Sequence, residues 1–200
     1  MAENIQLPDP PGADLSVHQA IAQRRSRREF GDKTITMDQL SELLWSAAGI
    51  THSNGRFRAA PSAGATYPFD TYVVIGDVEG IDSGIYKYIE ESHQIEPVKL
   101  GEYISKVTDA SLGQAVLRNS SLIICLFAIP ERTTQRYGDR GYMYIHMEAG
   151  HIGQNIHLVC EALNLSTTMI GAFYDDKIAD VFQVEGNPTY LMPVGPRKEN

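Results

Sequence analysis

Cysteine is scarce in these 200 residues: there are two, Cys125 and Cys160, and neither belongs to a CxxC pair. A disulfide framework is excluded, and because both thiols lie in apolar runs, buried reduced cysteines in a cytoplasmic setting are expected. Long hydrophobic runs are absent too. The longest, Leu122 to Ile129, falls far short of the roughly 20 residues that span a bilayer, so no membrane partner is expected. Positive charge is also short, with 17 Lys and Arg against 25 Asp and Glu and a formal net charge of -8. That balance argues against nucleic acid, which requires a broad basic face to release counterions.

The usual catalytic and nucleotide motifs are missing as well. There is no P-loop, no GxGxxG, no HExxH and no G-x-S-x-G elbow, and Ser62 stands in a loop with no evident base partner. His146, His151 and His157 do not form a metal site. At about 100° per helical residue, His151 lies roughly 140° round from His146, and His157 lies about 16 Å further along.

What is present begins with length. Two hundred residues at 42% hydrophobic and 21% charged suit one domain with a sizeable core. Residues 1–15 are polar and contain Pro8, Pro10 and Pro11 without a basic start or an apolar stretch, which predicts an extended arm rather than a signal peptide. The domain then covers residues 16–200.

Ser16 reads as an N-cap followed by Val17, Ala20, Ile21 and Arg24 at helical spacing. Thr36 and Gln39 form a capping box before the stripe Leu40, Leu43, Leu44, Ala47 and Ala48, and Gly49 supplies the C′ residue. A long loop over 50–70 carries Asn54-Gly55, Pro61, Gly64 and Pro68. Strands are predicted at 71–75, 84–89, 121–129, 167–170 and 190–194, with a helix at about 100–112. The longest helix should run from an N-cap at Asp139 to Leu163, with Asn164 at C′, buried nearly all round. Asp175 and Asp176 head a short helix. Strands interspersed with helices give an α+β or α/β sandwich.

The densest chemical signal is Arg24-Arg25-Ser26-Arg27-Arg28, four of the eleven arginines within five residues. Guanidinium forks with a hydroxyl between them suit a small phosphate-bearing ligand. Cations closing a helix also complement its dipole, and the cluster alone leaves both readings open. Three further segments accompany it: Arg58 to Pro68, where small residues let a flat ligand approach; Ile170-Gly171-Ala172-Phe173-Tyr174-Asp175; and Val194-Gly195-Pro196-Arg197, which returns a cation.

In this order, these segments resemble the FMN-dependent nitroreductase family, more closely its subgroup with SagB-type azoline dehydrogenases. The resemblance runs from Ser16 to Arg197 and includes Leu43 to Ile50, Gly84 to Tyr88, Arg136 to Tyr142 and Glu148 to Asn155. It implies a three-layer α/β/α sandwich of the α+β class, a mixed and mainly antiparallel sheet, a long central helix, and a homodimer with flavin sites at the subunit interface. It implies that Arg24, Arg25, Ser26 and Arg28 hold the phosphate, ribityl chain and pyrimidine edge of FMN. Pro61, Ser62, Ala63 and Gly64 would reach the flavin bound mainly by the other subunit. Ile170 and Gly171 would lie near flavin N5, and Gly195 and Arg197 would return to the phosphate. The implied activity is ping-pong reduction of nitroaromatics, quinones or a similar small electron-poor acceptor, with NADH or NADPH as donor.

One departure bears on the subgroup. Its azoline dehydrogenases carry Lys-Tyr where this chain has Arg136-Tyr137, and a guanidinium that stays protonated cannot act as a base. Arg136 could instead orient an anionic substrate and Tyr137 donate a proton. Azoline oxidation in a peptide, and flavin storage without turnover, are the alternative functions. Ser53 to Arg58 and Thr133 to Tyr137 are the candidate loops above the flavin.

Overall fold

The computed structural model describes residues 3–52 and 55–198. Its frame is one seven-stranded sheet of β1 (Ile5–Gln6), β2 (Phe69–Ile75), β3 (Gly84–Ile89), β4 (Gln94–Leu100), β5 (Leu122–Ala128), β6 (Leu165–Thr167) and β7 (Asn187–Pro196). The spatial order is β1-β4-β3-β2-β5-β7-β6. Each of these strand pairings is antiparallel, where a mixed sheet was expected. Seven helices pack on it: α1 (Val17–Gln23), α2 (Met37–Ala48), α3 (Ile104–Ala110), α4 (Ala115–Arg118), α5 (Glu131–Tyr137), α6 (Arg140–Ala162) and α7 (Asp175–Phe182).

Strand alternation divides the apolar residues between two layers. Val73, Ile75, Tyr86, Leu122, Ile124, Leu126 and Met192 face α2 and α6 in one core. Their neighbours Tyr72, Val74, Ile85, Ile123, Cys125, Phe127 and Leu191 face α3, α4 and α7 in the other. A side-chain period of two explains why both faces of β5 are apolar: it is buried between layers. The result is the expected α/β/α sandwich. Leu7 of the N-terminal segment joins the first core. That segment is tied to α2 and the β3–β4 hairpin through His93, whose Nε2 meets Ser41 Oγ at 2.7 Å and the Pro8 carbonyl at 3.0 Å.

Both expected capping boxes form, Ser16 with Gln19 and Thr36 with Gln39. Several boundaries differ from the sequence reading. The helix expected over 100–112 is shorter because Leu100 belongs to β4, a strand not anticipated. Thr133 to Tyr137, expected as loop, is helical within α5. Asp139 precedes α6 without a side-chain cap bond. Gly49 is not left-handed; a Cβ there would meet the Trp45 ring at 2.2 Å, so close packing explains the glycine. Asn164 does adopt the left-handed conformation, at φ 55°. Finally, α6 is not buried all round within one chain: Tyr142, Met143 and Met147 are 52%, 43% and 50% exposed. Cys125 and Cys160 are free and buried, and burial pushes both thiols up. Among the described residues, no helix is long and apolar enough to cross a membrane.

Candidate functional site

α1 stops at Gln23, leaving no cation in its last turn. The arginine segment runs on in extended form against the sheet edge, with Arg27 N–H donating to Thr167 O at 2.9 Å and Gly31 N–H to Pro196 O at 2.9 Å. Arg24 lies outside the cleft lining and acts electrostatically on His157, and the other three guanidiniums divide by role. Arg25 Nη1 returns to the carbonyls of Ala22 at 3.1 Å and Arg24 at 2.7 Å, which is helix capping. Arg27 is bound to the Glu161 carboxylate. Arg28 makes no hydrogen bond or ion pair among the described residues and lines an open cleft.

That cleft, about 560 Å³, is lined by Ser26, Arg27, Arg28, Glu29, Ser166, Arg197 and Lys198. Beneath it sits Glu161 from the last turn of α6, its side chain only 2% exposed. Glu161 also takes Arg197 Nη2 at 2.9 Å and the Arg25 N–H at 3.3 Å. One carboxylate thus fixes two guanidiniums and the intervening backbone, and the cluster retains net positive charge. Arg197 Nε and Ser166 Oγ are buried there without a partner. Orphaned donors beside the unpaired Arg28 are the complement of an anionic ligand, and the residues present fit the phosphate of FMN. Gly195 lies behind them: a Cβ there would meet the Phe30 ring at 2.5 Å, a packing requirement rather than a ligand approach. His157 is buried nearby; burial, then Arg24, lowers its pKa to about 4, and it stays neutral.

The second sequence segment ends at another cleft, about 380 Å³, lined by Gly171, Phe173, Tyr142, His146, Pro130 and Asn187 among others. Ile170 spends its N–H and carbonyl on Leu191, at 2.9 and 3.0 Å, and its side chain is buried. A backbone donor for a ligand must therefore come from Gly171 onward. The two clefts lie near opposite ends of α6, since Glu161 serves one and His146 the other, 15 residues or about 22 Å apart along the axis.

The third segment, Pro61 to Gly64, lies against α5 and α6. Gly64 has φ 60°, and Ala65 and Tyr67 also have positive φ, at 54° and 45°. Such a backbone persists only when its surroundings impose it. Here Tyr67 N–H donates to Ser62 Oγ at 2.9 Å, Thr66 Oγ1 meets Thr133 Oγ1 at 2.8 Å, and Asn155 Nδ2 donates to Ala59 O at 3.2 Å. His151 Nδ1 lies 3.3 Å from Pro61 O. Arg136 Nη1 donates to Gly64 O at 3.2 Å, and a Cβ at Gly64 would sit 2.4 Å from Tyr137 Oη. The structure thus brings Arg136 and Tyr137 onto the Pro61–Gly64 loop. Of the loop expected above the flavin, Ser53 and Asn54 lie outside the described residues.

Three contributors escaped the sequence reading: Glu161, Ser166 and Glu148. Glu148 is buried on α6; burial lifts its pKa to about 7, against the opposing effects of Ser62 and Arg58. A glutamate on the apolar face of a helix is the signal that could have found Glu148 and Glu161.

A model of the nitroreductase family matches residues 21–196. The chain belongs to the nitroreductase family. Within it, MJ1384 of Methanocaldococcus jannaschii, which carries the nitroreductase name, is 40% identical over 98% of this chain and 97% of its own length. The microcin B17-processing protein McbC of Escherichia coli is 26% identical over 92% of this chain and 72% of McbC, which fits the expected subgroup. A nitroreductase-named structure from Anabaena variabilis matches with a TM-score of 0.85 at 25% identity, over 98% of this chain but 42% of that longer one. Another, from Desulfovibrio desulfuricans and solved in complex with FMN, matches in fold with a TM-score of 0.64 at 20% identity, over 93% and 88% of the two chains. Nitroreductase membership makes the protein an oxidoreductase by family, and its α+β architecture is the nitroreductase one.

Proposed function

We propose that this nitroreductase-family protein is a cytoplasmic homodimer that binds FMN and uses NADH or NADPH to reduce a nitroaromatic, a quinone or a similar small electron-poor acceptor. The observation that carries the reading is the cationic cleft in which Ser166 Oγ and Arg197 Nε are buried without partners beside an unpaired Arg28. When bound, FMN would supply the two-electron chemistry, which no side chain here can perform.

The chain's own residues bind and orient. Arg24, Ser26, Arg28 and Arg197 hold the phosphate and neighbouring polar edges, Arg25 anchors the segment to α1, and Gly195 backs the cradle. Gly171, open beside Ile170, offers backbone N–H at the opposite end. Positive charge along the cradle favours a reduced, anionic ligand over a neutral one. The Pro61, Ser62, Ala63 and Gly64 loop serves the partner's site. Along α6 its anchor His151 lies ten residues, about 15 Å, from the Glu161 cradle, which makes a second copy the natural way to bring the two together.

McbC raises a second reading, azoline oxidation in a peptide, and the docking of Arg136 and Tyr137 on Gly64 keeps that pair close to the loop. Arg136 remains protonated, however, so it can orient an anionic acceptor but not abstract a proton. The deciding experiment is an absorption spectrum of the purified protein followed by anaerobic addition of NADH and NADPH. Flavin that bleaches with either nucleotide supports the reductase. Bound flavin that neither nucleotide reduces points to the dehydrogenase or to storage, and no flavin after incubation with FMN overturns the reading.

A further inference from the structure

A cleft between the N-terminal segment and the β3–β4 hairpin has no part in the flavin reading. It measures about 540 Å³, within the usual range of small-molecule sites. Trp45 of α2 and Tyr88 of β3 supply aromatic surface, with Pro10 and Ile50 beside them. Asp9, Glu90 and Glu91 bring three carboxylates to the same space, and among the described residues no lysine or arginine lines it. Arg58 lies outside the lining, with Nη1 2.9 Å from Glu90 Oε1 and Nη2 3.9 Å from Glu91 Oε1. One guanidinium against three carboxylates leaves the cleft negative. The wall that the N-terminal segment contributes is fixed on both sides of Asp9 and Pro10. On one side the Pro8 carbonyl accepts from Ser41 Oγ at 2.6 Å and from His93 Nε2 at 3.0 Å; on the other the Gly12 N–H donates to Glu42 Oε2 at 2.9 Å. His93 Nδ1 in turn lies 2.7 Å from the Tyr88 hydroxyl. Both the imidazole and that hydroxyl are thereby spent on the fold, and carboxylate charge and aromatic surface remain for a ligand.

We propose that this cleft binds a small organic cation, one that joins a flat apolar body to an ammonium, amidinium or pyridinium charge. The body packs against Trp45 and Ile50, and the charge sits with Asp9 and Glu91, since aromatic faces and carboxylates both favour a cation. An anion is repelled, which sets this cleft apart from the Arg28 cradle. The two stand toward opposite edges of the sheet, this one at β3 and β4 and the cradle at β6 and β7. Binding here requires no FMN. The occupant nevertheless touches the segment that leads to the Pro61–Gly64 loop: Ile50 and His52 flank Thr51, whose N–H donates to Phe57 O at 2.8 Å, and Ala59 N–H donates to Gly49 O at 2.9 Å.

Trp45 is the single tryptophan of the chain, so its fluorescence reports on this cleft directly. The test is titration of the purified protein with benzyltrimethylammonium, with benzyl alcohol and benzenesulfonate as the neutral and anionic aromatic controls. The cation should change Trp45 emission saturably, and both controls should bind roughly tenfold more weakly or not at all, the combined worth of a cation–π contact and an exposed ion pair. Asp9 and Glu91 are exposed, so Asp9→Asn and Glu91→Gln should leave the urea midpoint unchanged. Each should weaken binding of the cation roughly two- to fivefold, as loss of one exposed ion pair does. Three results would overturn the assignment: no saturable change in emission, equal affinity for all three probes, or a response to the cation that neither substitution alters.

Discussion

At the scale of single residues, the arginine cluster is two structures in one run. Arg25 and Arg27 serve the protein itself, the first capping α1 and the second pairing with buried Glu161. Arg28 serves neither and lines the cleft. Replacing Arg28 with Ala should therefore weaken FMN binding by about 1.5–3 kcal/mol, the range for a hydrogen bond to a charged group. Unfolding stability should stay within about 0.5 kcal/mol of wild type, as for a surface change without internal partners. Flavin titration and urea denaturation check the two halves separately. A stability loss without an affinity loss would assign Arg28 to the fold. The cluster was visible in the sequence because arginine density is a compositional signal. Its division was not, since that depends on Glu161, which lies 134 residues from Arg27 in the chain.

At the scale of elements, α6 carries two buried titrating groups with opposite demands. Burial raises Glu148 to about 7, so its contribution to stability is full below the unfolded carboxyl value near 4.5 and is lost as pH rises through about 7. Burial and Arg24 lower His157 to about 4, so its contribution is full above the unfolded imidazole value near 6.5 and is lost as pH falls through about 4. Each is worth on the order of 3 kcal/mol, and across pH 4.5 to 6.5 they offset one another. Glu148→Gln removes one side of the balance, and its stability should then rise with pH over that window while the wild type stays nearly level. Urea midpoints taken at half-unit pH steps would show this; parallel curves would refute it. The elements themselves were legible where periodicity or caps marked them, as in α2, β3 and β5. β4 escaped because Gln94-Ile95-Glu96-Pro97-Val98-Lys99-Leu100 mixes charge with a proline. That proline is tolerated at the register shift opposite Tyr86. α5 escaped because Glu131 to Tyr137 is polar on most faces and packs only as part of the fold. Glu148 escaped for the same reason as Glu161: helical periodicity marks a face as buried but does not say which distant segment will pack against a carboxylate on it.

At the scale of the whole molecule, the unresolved demand is the outer face of α6. Tyr142, Met143 and Met147 are half-exposed there, large apolar side chains aligned with a bare Gly150. Gly153, three residues on, is already packed within the chain, where a Cβ would meet the Tyr190 ring at 3.2 Å, whereas a Cβ at Gly150 would meet nothing within 4 Å. The two glycines of one short motif therefore answer to different neighbours. Gly153 closes the subunit, and Gly150 leaves room for a second helix to approach. This separation allows an assembly change to be made without disturbing the core. Gly150→Leu adds a side chain to open space, and the swap also improves intrinsic helix propensity by nearly 1 kcal/mol, so the subunit should fold at least as well as wild type. The bulk should nevertheless hold the two copies of α6 apart. Wild type is expected to elute at about twice the subunit mass, and Gly150→Leu at the subunit mass with flavin lost, because the Pro61–Gly64 loop no longer reaches the partner's cradle. Size-exclusion chromatography with absorbance read at both protein and flavin wavelengths measures assembly mass and flavin content at once. A monomer that keeps tight flavin would show that one chain completes the site, and would remove the reason for placing the loop in the partner's half.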